Sequence, residues 1–330
     1  MDLFTHVLTA YLLTFGLVGF QPNYLIAGAI AGGLPDGDVF LFPLSRRFPM
    51  LRHHGITHSI VGVTGFAVVG GLLIAPRLAG GGNPLVFFAV MMAGGLGHML
   101  EDGFTHFSVA PFLPFSSKPL ELDADRAVNF VTLLVSVVSF YLLLGVERGH
   151  VPFAVYLATV YALMAFFVVY FVSRGAARYA VGRRKKTVGD FDVAVPTTNP
   201  YVWLLLRERK EGGRMQTSFA RYVFGRGITK GPYSVDVPLD APAVSGPAKD
   251  AAEALARSYG LARHSTRVLD ETYSFGEAVP VGSGGWRVHW YSLEFSAFGR
   301  AAGVSVEIAP DGSMRAKSAW RVPLWRQELA

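Results

Sequence analysis

The chain has 330 residues, of which 51% are apolar and only 16% are charged, and its mean hydropathy is +0.36. Soluble domains carry about 25% charged residues, so this composition argues against a fully soluble protein. The absence of cysteine excludes disulfides, thiolate metal ligands and a cysteine nucleophile. The net charge of +6 is explained largely by membrane orientation, and we expect no nucleic-acid partner.

Long apolar runs follow one another up to about residue 173. A bilayer core needs roughly 20 apolar residues per helix, and the runs of this kind are Leu3–Phe20, Ile56–Ala79, Pro84–Gly103, Val128–Val146 and Val151–Ser173. The first is expected to be a retained helix, because Asp2 replaces the basic start of a signal peptide.

A shorter apolar run, Tyr24–Leu34, covers only about half of the bilayer at about 1.5 Å per residue. It is therefore either a re-entrant hairpin or a full span that carries polar residues. Its glycines Gly28, Gly32 and Gly33 would allow neighbouring helices to pack closely.

The placement of lysine and arginine predicts the orientation. A basic segment without acids, Arg174–Lys186, follows the last run and is expected in the cytoplasm. Counting Tyr24–Leu34 as a span gives about six spans and a cytoplasmic N-terminus. That topology also puts a second basic set on the inside: Arg46, Arg47, Arg52, Lys118 and Arg126. We predict a multi-pass protein of the cell (inner) membrane with its C-terminal domain in the cytoplasm.

The chain is predicted to have two domains. Residues 1–175 form a mainly α membrane helical bundle, and residues 187–330 form a smaller soluble α+β domain. Val304, Val306 and Ile308 alternate with polar residues before a Pro-Asp-Gly-Ser turn, which indicates a hairpin. A helix is expected from Pro247 to about Tyr259, ended by Gly260.

Six of the nine histidines lie between positions 6 and 106, in the apolar half. Ionisable residues within a membrane are functional candidates by default. With nearby acids they form four clusters: His6; Asp36 and Asp38; His53, His54 and His58; and His98, Glu101, Asp102 and His106. Each cluster alone also has a structural explanation, namely a hydrogen-bonding histidine, an acidic turn, a helix cap at Thr57 or Ser59, or a packing contact.

Together, the four clusters are stronger evidence for a metal site than each is alone. His98 and Asp102 are four residues apart and share one helical face. Both can therefore bind one ion, or Asp102 can orient the His98 imidazole by a hydrogen bond without binding the ion itself. In the six-span topology, all four clusters fall at cytoplasmic ends of spans. Because that topology was derived from basic residues alone, the convergence favours the six spans and a shared metal site together.

In this order and spacing, the clusters resemble the YdjM-like family of membrane-bound, metal-dependent hydrolases. The family pattern is an early His, a Pro-Asp-x-Asp turn, a His-Arg-Gly-x-Thr-His-Ser element, and Gly-x-x-x-His-x-x-x-Asp-x-x-Thr ahead of Pro-Phe-Ser. The matching segments here are His6, Pro35–Asp38, His53–Ser59, Gly94–Thr105 and Pro114–Ser116. The helical His-x-x-x-Asp pair is also distantly similar to the zinc-dependent phospholipase C and nuclease superfamily.

One departure concerns His54, which stands where the family has Arg. Either a guanidinium that could clamp a phosphate is missing, or His54 substitutes for it. His106 matches no position of the family pattern.

The resemblance implies metal-assisted hydrolysis. Ligation by nitrogen and oxygen without sulfur suits Zn²⁺ best, with Mn²⁺ or Fe²⁺ as alternatives. The expected metal ligands are His6, Asp36, His53, His58, His98 and Asp102. They exceed the four of one closed zinc site, so either two ions bind or one open catalytic ion has supporting residues. Asp38 or Glu101 could serve as general base.

A site at the cytoplasmic headgroup level favours hydrolysis of an ester or phosphoester in an amphiphilic, lipid-like substrate, with membrane lipid as a partner. The alternatives are a membrane metal transporter and a metal-stabilised scaffold or sensor. A transporter should carry polar residues at mid-membrane, and Val128–Val146 and Val151–Ser173 contain almost none.

Overall fold

The computed structural model describes residues 1–41, 44, 47–51, 53–105, 108–126, 128–147, 152–238, 248–265, 274–282, 284–297 and 300–323. His106, Pro247, Arg46 and Arg52, which entered the sequence predictions, lie outside these ranges. The chain divides into two compact units, one formed by Met1–Tyr179 with Pro196–Pro200 and one formed by Ala180–Val195 with Tyr201–Ala330.

The first unit is helical. Its helices are α1 (Leu3–Val18), α2 (Pro22–Gly33), α3 (Ile60–Leu78), α4 (Pro84–Phe104), α5 (Phe130–Glu147) and α6 (Phe153–Gly189), the last of which continues into the second unit. The central part of α3, Ala67–Ile74, is π-helical. Short 3₁₀ helices between α2 and α3 cover Pro35–Leu41, Pro49–Leu51 and Ile56–His58.

Local sequence signals account for several helix ends. The Asp2 carboxylate accepts a hydrogen bond of 3.0 Å from the Thr5 backbone N–H at the start of α1. Gly19, at a positive φ of 68°, ends that helix. The Ser59 hydroxyl accepts a hydrogen bond of 3.2 Å from the Gly62 N–H and caps α3, so of the two alternative caps, Thr57 and Ser59, the structure has Ser59.

The six predicted spans are not supported. Among the described residues, three helices are long and apolar enough to cross a membrane: α3, α4 and α6. At about 1.5 Å per residue, α1 is about 24 Å long and α2 about 18 Å, against a hydrocarbon core of about 30 Å. The apolar part of α5, Phe130–Leu143, is similarly short.

Glycines let the helices of the first unit approach at backbone distance. A Cβ atom at Gly32 would lie 2.6 Å from the backbone oxygen of His6, and one at Gly94 would lie 2.5 Å from that of Gly28. No side-chain carbon fits at these distances, which confirms the close packing predicted for Gly28 and Gly32. As a result, α2 packs tightly against both α1 and α4.

The helix α3 lies against α4 in the opposite direction. A Cβ atom at Gly95 would meet the Val63 side chain, and one at Gly71 would meet the backbone of Phe88. The start of α3 therefore lies near the end of α4.

The second unit contains two antiparallel four-stranded sheets. Their strands, in order, are β1 (Val193–Pro196), β2 (Val202–Glu211), β3 (Arg214–Val223) and β4 (Gly227–Pro238), then β5 (Ser274–Val281), β6 (Gly285–Ala297), β7 (Arg300–Ile308) and β8 (Met314–Pro323). The predicted hairpin is confirmed, because β7 pairs antiparallel with β8. The core includes the buried side chains of Phe219, Trp290 and Val304.

The helix α7 (Ala251–Ser265) connects the two sheets in sequence. The prediction that Gly260 ends it was wrong, since the helix continues to Ser265. Ala262 is fully buried in the core of the unit, so packing of this face outweighs the weak helix propensity of a single glycine.

We expect Gly94→Ala to destabilise the first unit by about 1–3 kcal/mol, because its new methyl group would overlap the Gly28 carbonyl oxygen. The matched control is Gly65→Ala in α3, where a Cβ atom would meet nothing within 4 Å; the lost glycine flexibility should leave stability equal or higher by up to about 1 kcal/mol. The measurement is the temperature at which half of the detergent-purified protein leaves the monodisperse chromatographic peak. Equal midpoints for the two variants would contradict the packing argument.

Candidate metal centre

Four side chains from three segments converge at the ends of α2 and α4 and the start of α3. Asp36 comes from the 3₁₀ helix after α2, His58 from the 3₁₀ helix before α3, and His98 and Asp102 from the last turns of α4. One ligand atom from each lies within 4.8 Å of the others. The side chains of His58 and His98 are fully buried, whereas that of Asp36 is 22% exposed.

The distances between these atoms match those of a metal coordination shell. The Nε2 atoms of His98 and His58 lie 3.2 and 3.4 Å from Oδ2 of Asp102, and 3.6 and 3.5 Å from Oδ1 of Asp36. A tetrahedral zinc with bonds of about 2.0–2.1 Å separates its ligand atoms by about 3.3–3.4 Å. The four donors are thus already spaced for one ion.

Three of these four ligand atoms lack a hydrogen-bond partner among the described residues. Nε2 of His58, Nε2 of His98 and Oδ2 of Asp102 are buried and make no hydrogen bond to any part of the chain that the structure describes. Leaving such a group unsatisfied costs about 1–3 kcal/mol. A cation between the four donors would satisfy all three atoms at once.

The opposite nitrogens of both imidazoles are held by hydrogen bonds. Nδ1 of His98 donates to the Gly32 backbone carbonyl at 2.7 Å. Nδ1 of His58 lies 3.2 Å from Oδ2 of Asp38, and the Thr57 hydroxyl donates to the same oxygen at 2.9 Å. These contacts fix the tautomer in which each Nε2 lone pair faces the centre, as is usual for metal-binding histidines.

Asp38 was predicted as a general base, but its carboxylate is fully engaged. Its Oδ1 accepts a hydrogen bond of 2.8 Å from Nδ1 of His53, and its Oδ2 faces Thr57 and His58. Its geometry fits the positioning of His58.

His6 and Glu101 lie behind Asp102. Nδ1 of His6 is 2.8 Å from Oε2 of Glu101, and its Nε2 is 3.1 Å from Oδ1 of Asp102. The His6 ring also stacks on that of His98, with centroids 3.8 Å apart. Both ring nitrogens of His6 therefore face carboxylates, and this predicted ligand lies outside the four-donor group.

The remaining predicted residues, His53 and His54, lie at the open side. With His58 they form a second group whose ligand atoms are within 4.8 Å of one another. The His53 side chain is 56% exposed and that of His54 is 14% exposed. Nε2 of His54 lies 3.5 Å from Oδ2 of Asp102. Of these two rings, that of His53 is therefore the one that faces solvent, next to the partly exposed Asp36.

Two contributors escaped the sequence prediction. Thr57 entered the sequence analysis only as one of two alternative helix caps, but its hydroxyl donates a hydrogen bond to Asp38. The Gly32 carbonyl was not foreseen, because a main-chain acceptor leaves no signal in the sequence. The position of the Thr57 hydroxyl between His54 and His58 in the sequence was the one signal of its contribution to the site.

The pKa values outside the membrane spans follow from burial and charge. Burial lowers the pKa of His58, but the neighbouring carboxylates of Asp102, Asp36 and Asp38 outweigh it and raise that pKa to about 10. Burial raises the pKa of Asp38, yet hydrogen bonds from His53, His58 and Thr57 hold it well below its usual range. Without a cation, the centre thus holds a proton on His58.

His54 differs from His58. Burial lowers its pKa to about 3, against the opposing charge of Asp102 and with the help of the nearby His58 and His53. Its imidazole is therefore neutral at pH 7.

Comparison with protein-family models identifies the first unit. A family described as YdjM inner membrane protein matches residues 1–179, more than half of the chain, and the chain belongs to this family. No curated protein and no solved structure matches. The match includes all four donors, and together with the apolar helices it identifies a membrane protein.

We expect one divalent ion per chain in detergent-purified protein, and its loss in His58→Ala, His98→Ala and Asp102→Ala, since each removes one of the four donors. The control is His53→Ala, which lies in the same segment but outside the group of four and should retain the ion. Elemental analysis of monodisperse protein provides the measurement. Equal loss in His53→Ala and His58→Ala would contradict the four-donor assignment.

Metal affinity should rise with pH by about tenfold per unit from about pH 6 to about pH 9, because the proton held by His58 below its pKa must leave before the ring binds a cation. In Asp38→Asn, one carboxylate that raises this pKa is gone, so the rise should level off at a lower pH. Competition with a chelating dye measures both curves. A pH-independent affinity in the parent protein would refute the proton linkage.

Proposed function

We propose that this member of the YdjM inner membrane protein family is a membrane-bound, metal-dependent hydrolase of an ester or phosphoester in an amphiphilic substrate. The observation that carries the proposal is the set of four nitrogen and oxygen donors, which are spaced for one cation and of which Asp36 is 22% exposed. Zinc fits the donor set best, with manganese or iron as alternatives.

The chain's residues divide into those that hold the cation and those that act on water. The ion would be bound by Asp36, His58, His98 and Asp102. Asp38 and the Gly32 carbonyl would hold the His58 and His98 rings in the orientation that faces it. A bound divalent ion supplies a Lewis acid that polarises the scissile bond and lowers the pKa of water toward about 7.

His54 is the residue that we propose for proton transfer. Its Nε2 lies 3.5 Å from Oδ2 of Asp102, its side chain is 14% exposed, and it is the position where the family pattern has Arg. Of the other two predicted candidates, Asp38 is engaged by three donors and Glu101 is bonded to His6. Neither geometry favours direct contact with a reacting water.

The reaction adds one water molecule across the bond. Its oxygen attacks the carbonyl carbon or the phosphorus while His54 accepts its proton. The bond to the alcohol oxygen then breaks, and His54 returns the proton to that oxygen. The products are a carboxylic or phosphoric acid group and an alcohol, with no oxidant or reductant required.

We expect the substrate to lie in the cytoplasmic leaflet of the membrane. The C-terminal part of α6 carries the basic residues Arg183, Arg184, Lys185 and Lys186, and such clusters favour the cytoplasmic side. The donors lie at the end of α4, and Arg178 in the C-terminal half of α6 is 3.1 Å from Asp123, shortly after that end, so we assign the donors and the basic end of α6 to the headgroup level of the same membrane side. This supports an amphiphilic substrate and a cytoplasmic C-terminal domain.

A second candidate is a metal-stabilised scaffold. Four protein donors can fill the shell of a tetrahedral zinc, which is typical of structural sites. The partial exposure of Asp36 and His54 favours the hydrolase, since a site that binds water needs access.

The test uses hydrolysis of bis(p-nitrophenyl) phosphate and p-nitrophenyl laurate by zinc-loaded full-length protein in nanodiscs. His58→Ala should abolish turnover. His54→Gln should retain the metal and lower kcat by about 10²–10⁴-fold, the usual contribution of a general base. The matched control His53→Gln should change kcat by much less.

No turnover above chelator-treated protein, in a preparation with one ion per chain, would reject hydrolysis of these probes' ester classes in favour of the scaffold. Equal losses in His54→Gln and His53→Gln would reject the assigned role of His54.

A further inference from the structure

The C-terminal end of α4 is covered by the return segment (residues 120–125), which follows that helix in the chain. The last carbonyl groups of a helix have no partner within the helix, and the return segment supplies partners for those of α4. The Leu122 N–H donates to the Gly103 carbonyl at 2.8 Å, and the Ala124 N–H donates to the Phe104 carbonyl at 2.9 Å. The return segment is thus bound to the helix end by main-chain hydrogen bonds.

The same helix end carries the donor Asp102. Thr105, which is fully buried, donates to the Asp102 backbone carbonyl at 3.0 Å from its N–H and at 2.8 Å from its hydroxyl. The Thr105 carbonyl accepts a hydrogen bond of 3.3 Å from the Asp123 N–H, and Thr105 also forms a parallel bridge with Asp125. The main chain of Asp102 is therefore connected to the return segment through Thr105.

Two arginines of α6 hold the return segment from the other side. The Arg174 guanidinium lies 2.9 Å from Oδ1 of Asp125, and both side chains are almost completely buried. The Arg178 guanidinium lies 3.1 Å from Oδ2 of Asp123, and its Nε donates to the Leu122 carbonyl at 3.0 Å. Because the two arginines are four residues apart, they lie on one face of α6.

The buried Asp125 carboxylate depends on this pairing. It also accepts hydrogen bonds from the Tyr170 hydroxyl of α6 and, at 3.0 Å, from Nδ2 of Asn129. Removing one partner of a buried ion pair is strongly destabilising, because the other charge is left uncompensated. Without Arg174, we therefore expect the return segment to move away from α6, and the end of α4 to lose this support.

We infer that Arg174 and Asp125 are positioning residues of the metal centre, which act on Asp102 through the return segment and the end of α4. Neither belongs to the group of four donors. The inference rests on the metal centre of the proposed function, whichever reaction that centre performs. Metal affinity depends on the residues that orient the ligands as well as on the ligands themselves, so it should fall when this ion pair is broken.

The test is titration of metal-free, full-length protein in detergent with Co²⁺, whose visible absorption reports both affinity and coordination geometry. Arg174→Gln and Asp125→Asn should each weaken Co²⁺ binding by about tenfold, a typical effect of losing a residue that orients a metal ligand. Both should also change the shape of the absorption band, because Asp102 is displaced. Arg174→Lys keeps the positive charge and should retain more of the affinity than Arg174→Gln.

The control Leu163→Ala removes a buried apolar side chain from the same helix, about three turns before Arg174. Leu163 belongs to the apolar cluster that includes Leu12 and Phe15 of α1. This control should lower the thermal midpoint but leave the affinity and the spectrum unchanged. Arg178→Gln, at a side chain that is 23% exposed, is the second variant and should weaken Co²⁺ binding to a smaller extent.

Unchanged Co²⁺ affinity and spectrum in folded Arg174→Gln would overturn the inference, as they would in Arg178→Gln if Arg174→Gln does not fold. Equal changes in Leu163→Ala would also overturn it, because metal binding would then follow the stability of the whole unit.

The result is separable from that for the reaction. Weaker Co²⁺ binding in the arginine variants, with no ester turnover by the parent protein, would establish the positioning role and reject the proposed hydrolysis. Turnover by the parent with unaltered Co²⁺ binding in the variants would reject the positioning role and leave the hydrolase standing.

Discussion

The Asp102 carboxylate is the group on which the site depends. It is almost completely buried, and four imidazoles surround it: Nε2 of His6 at 3.1 Å, of His98 at 3.2 Å, of His58 at 3.4 Å and of His54 at 3.5 Å. A buried charge is costly unless it is paired. The segments before α3, the start of α1 and the end of α4 must therefore meet at this carboxylate, which explains why so many histidines occur in an apolar sequence.

The glycines make this meeting possible. Gly32 brings α2 to the backbone of α1 at His6, and Gly94 brings α4 to the backbone of α2 at Gly28. At such distances the Gly32 carbonyl can accept the proton of His98 Nδ1. The orientation of the His98 imidazole thus depends on the helix packing. The glycines determine how closely α4 approaches α2, and the Gly32 main-chain oxygen determines which way the His98 ring faces.

The donor group is confined to the ends of helices in the first unit. The exposed side chains there are Asp36, at 22%, and the neighbouring His53, at 56%, whereas His58, His98 and Asp102 are buried. The sheets of the second unit lie beyond the family match and contribute none of the four donors.

By itself, the sequence determined the chemical type of the site and much of its membership. The lack of cysteine left nitrogen and oxygen as ligands, and the spacing of His98 and Asp102 put both on one face of a helix, because helical periodicity relates near neighbours. The alternation around Val304 and Val306 specified a hairpin for the same local reason. Tertiary structure alone decided that His6 supports Asp102 from outside the group of four, that Asp38 and Thr57 orient His58, and that α1 and α2 are too short to be counted as spans. Which ring nitrogen faces the centre depends on partners from distant segments, and no periodicity in the sequence encodes those contacts.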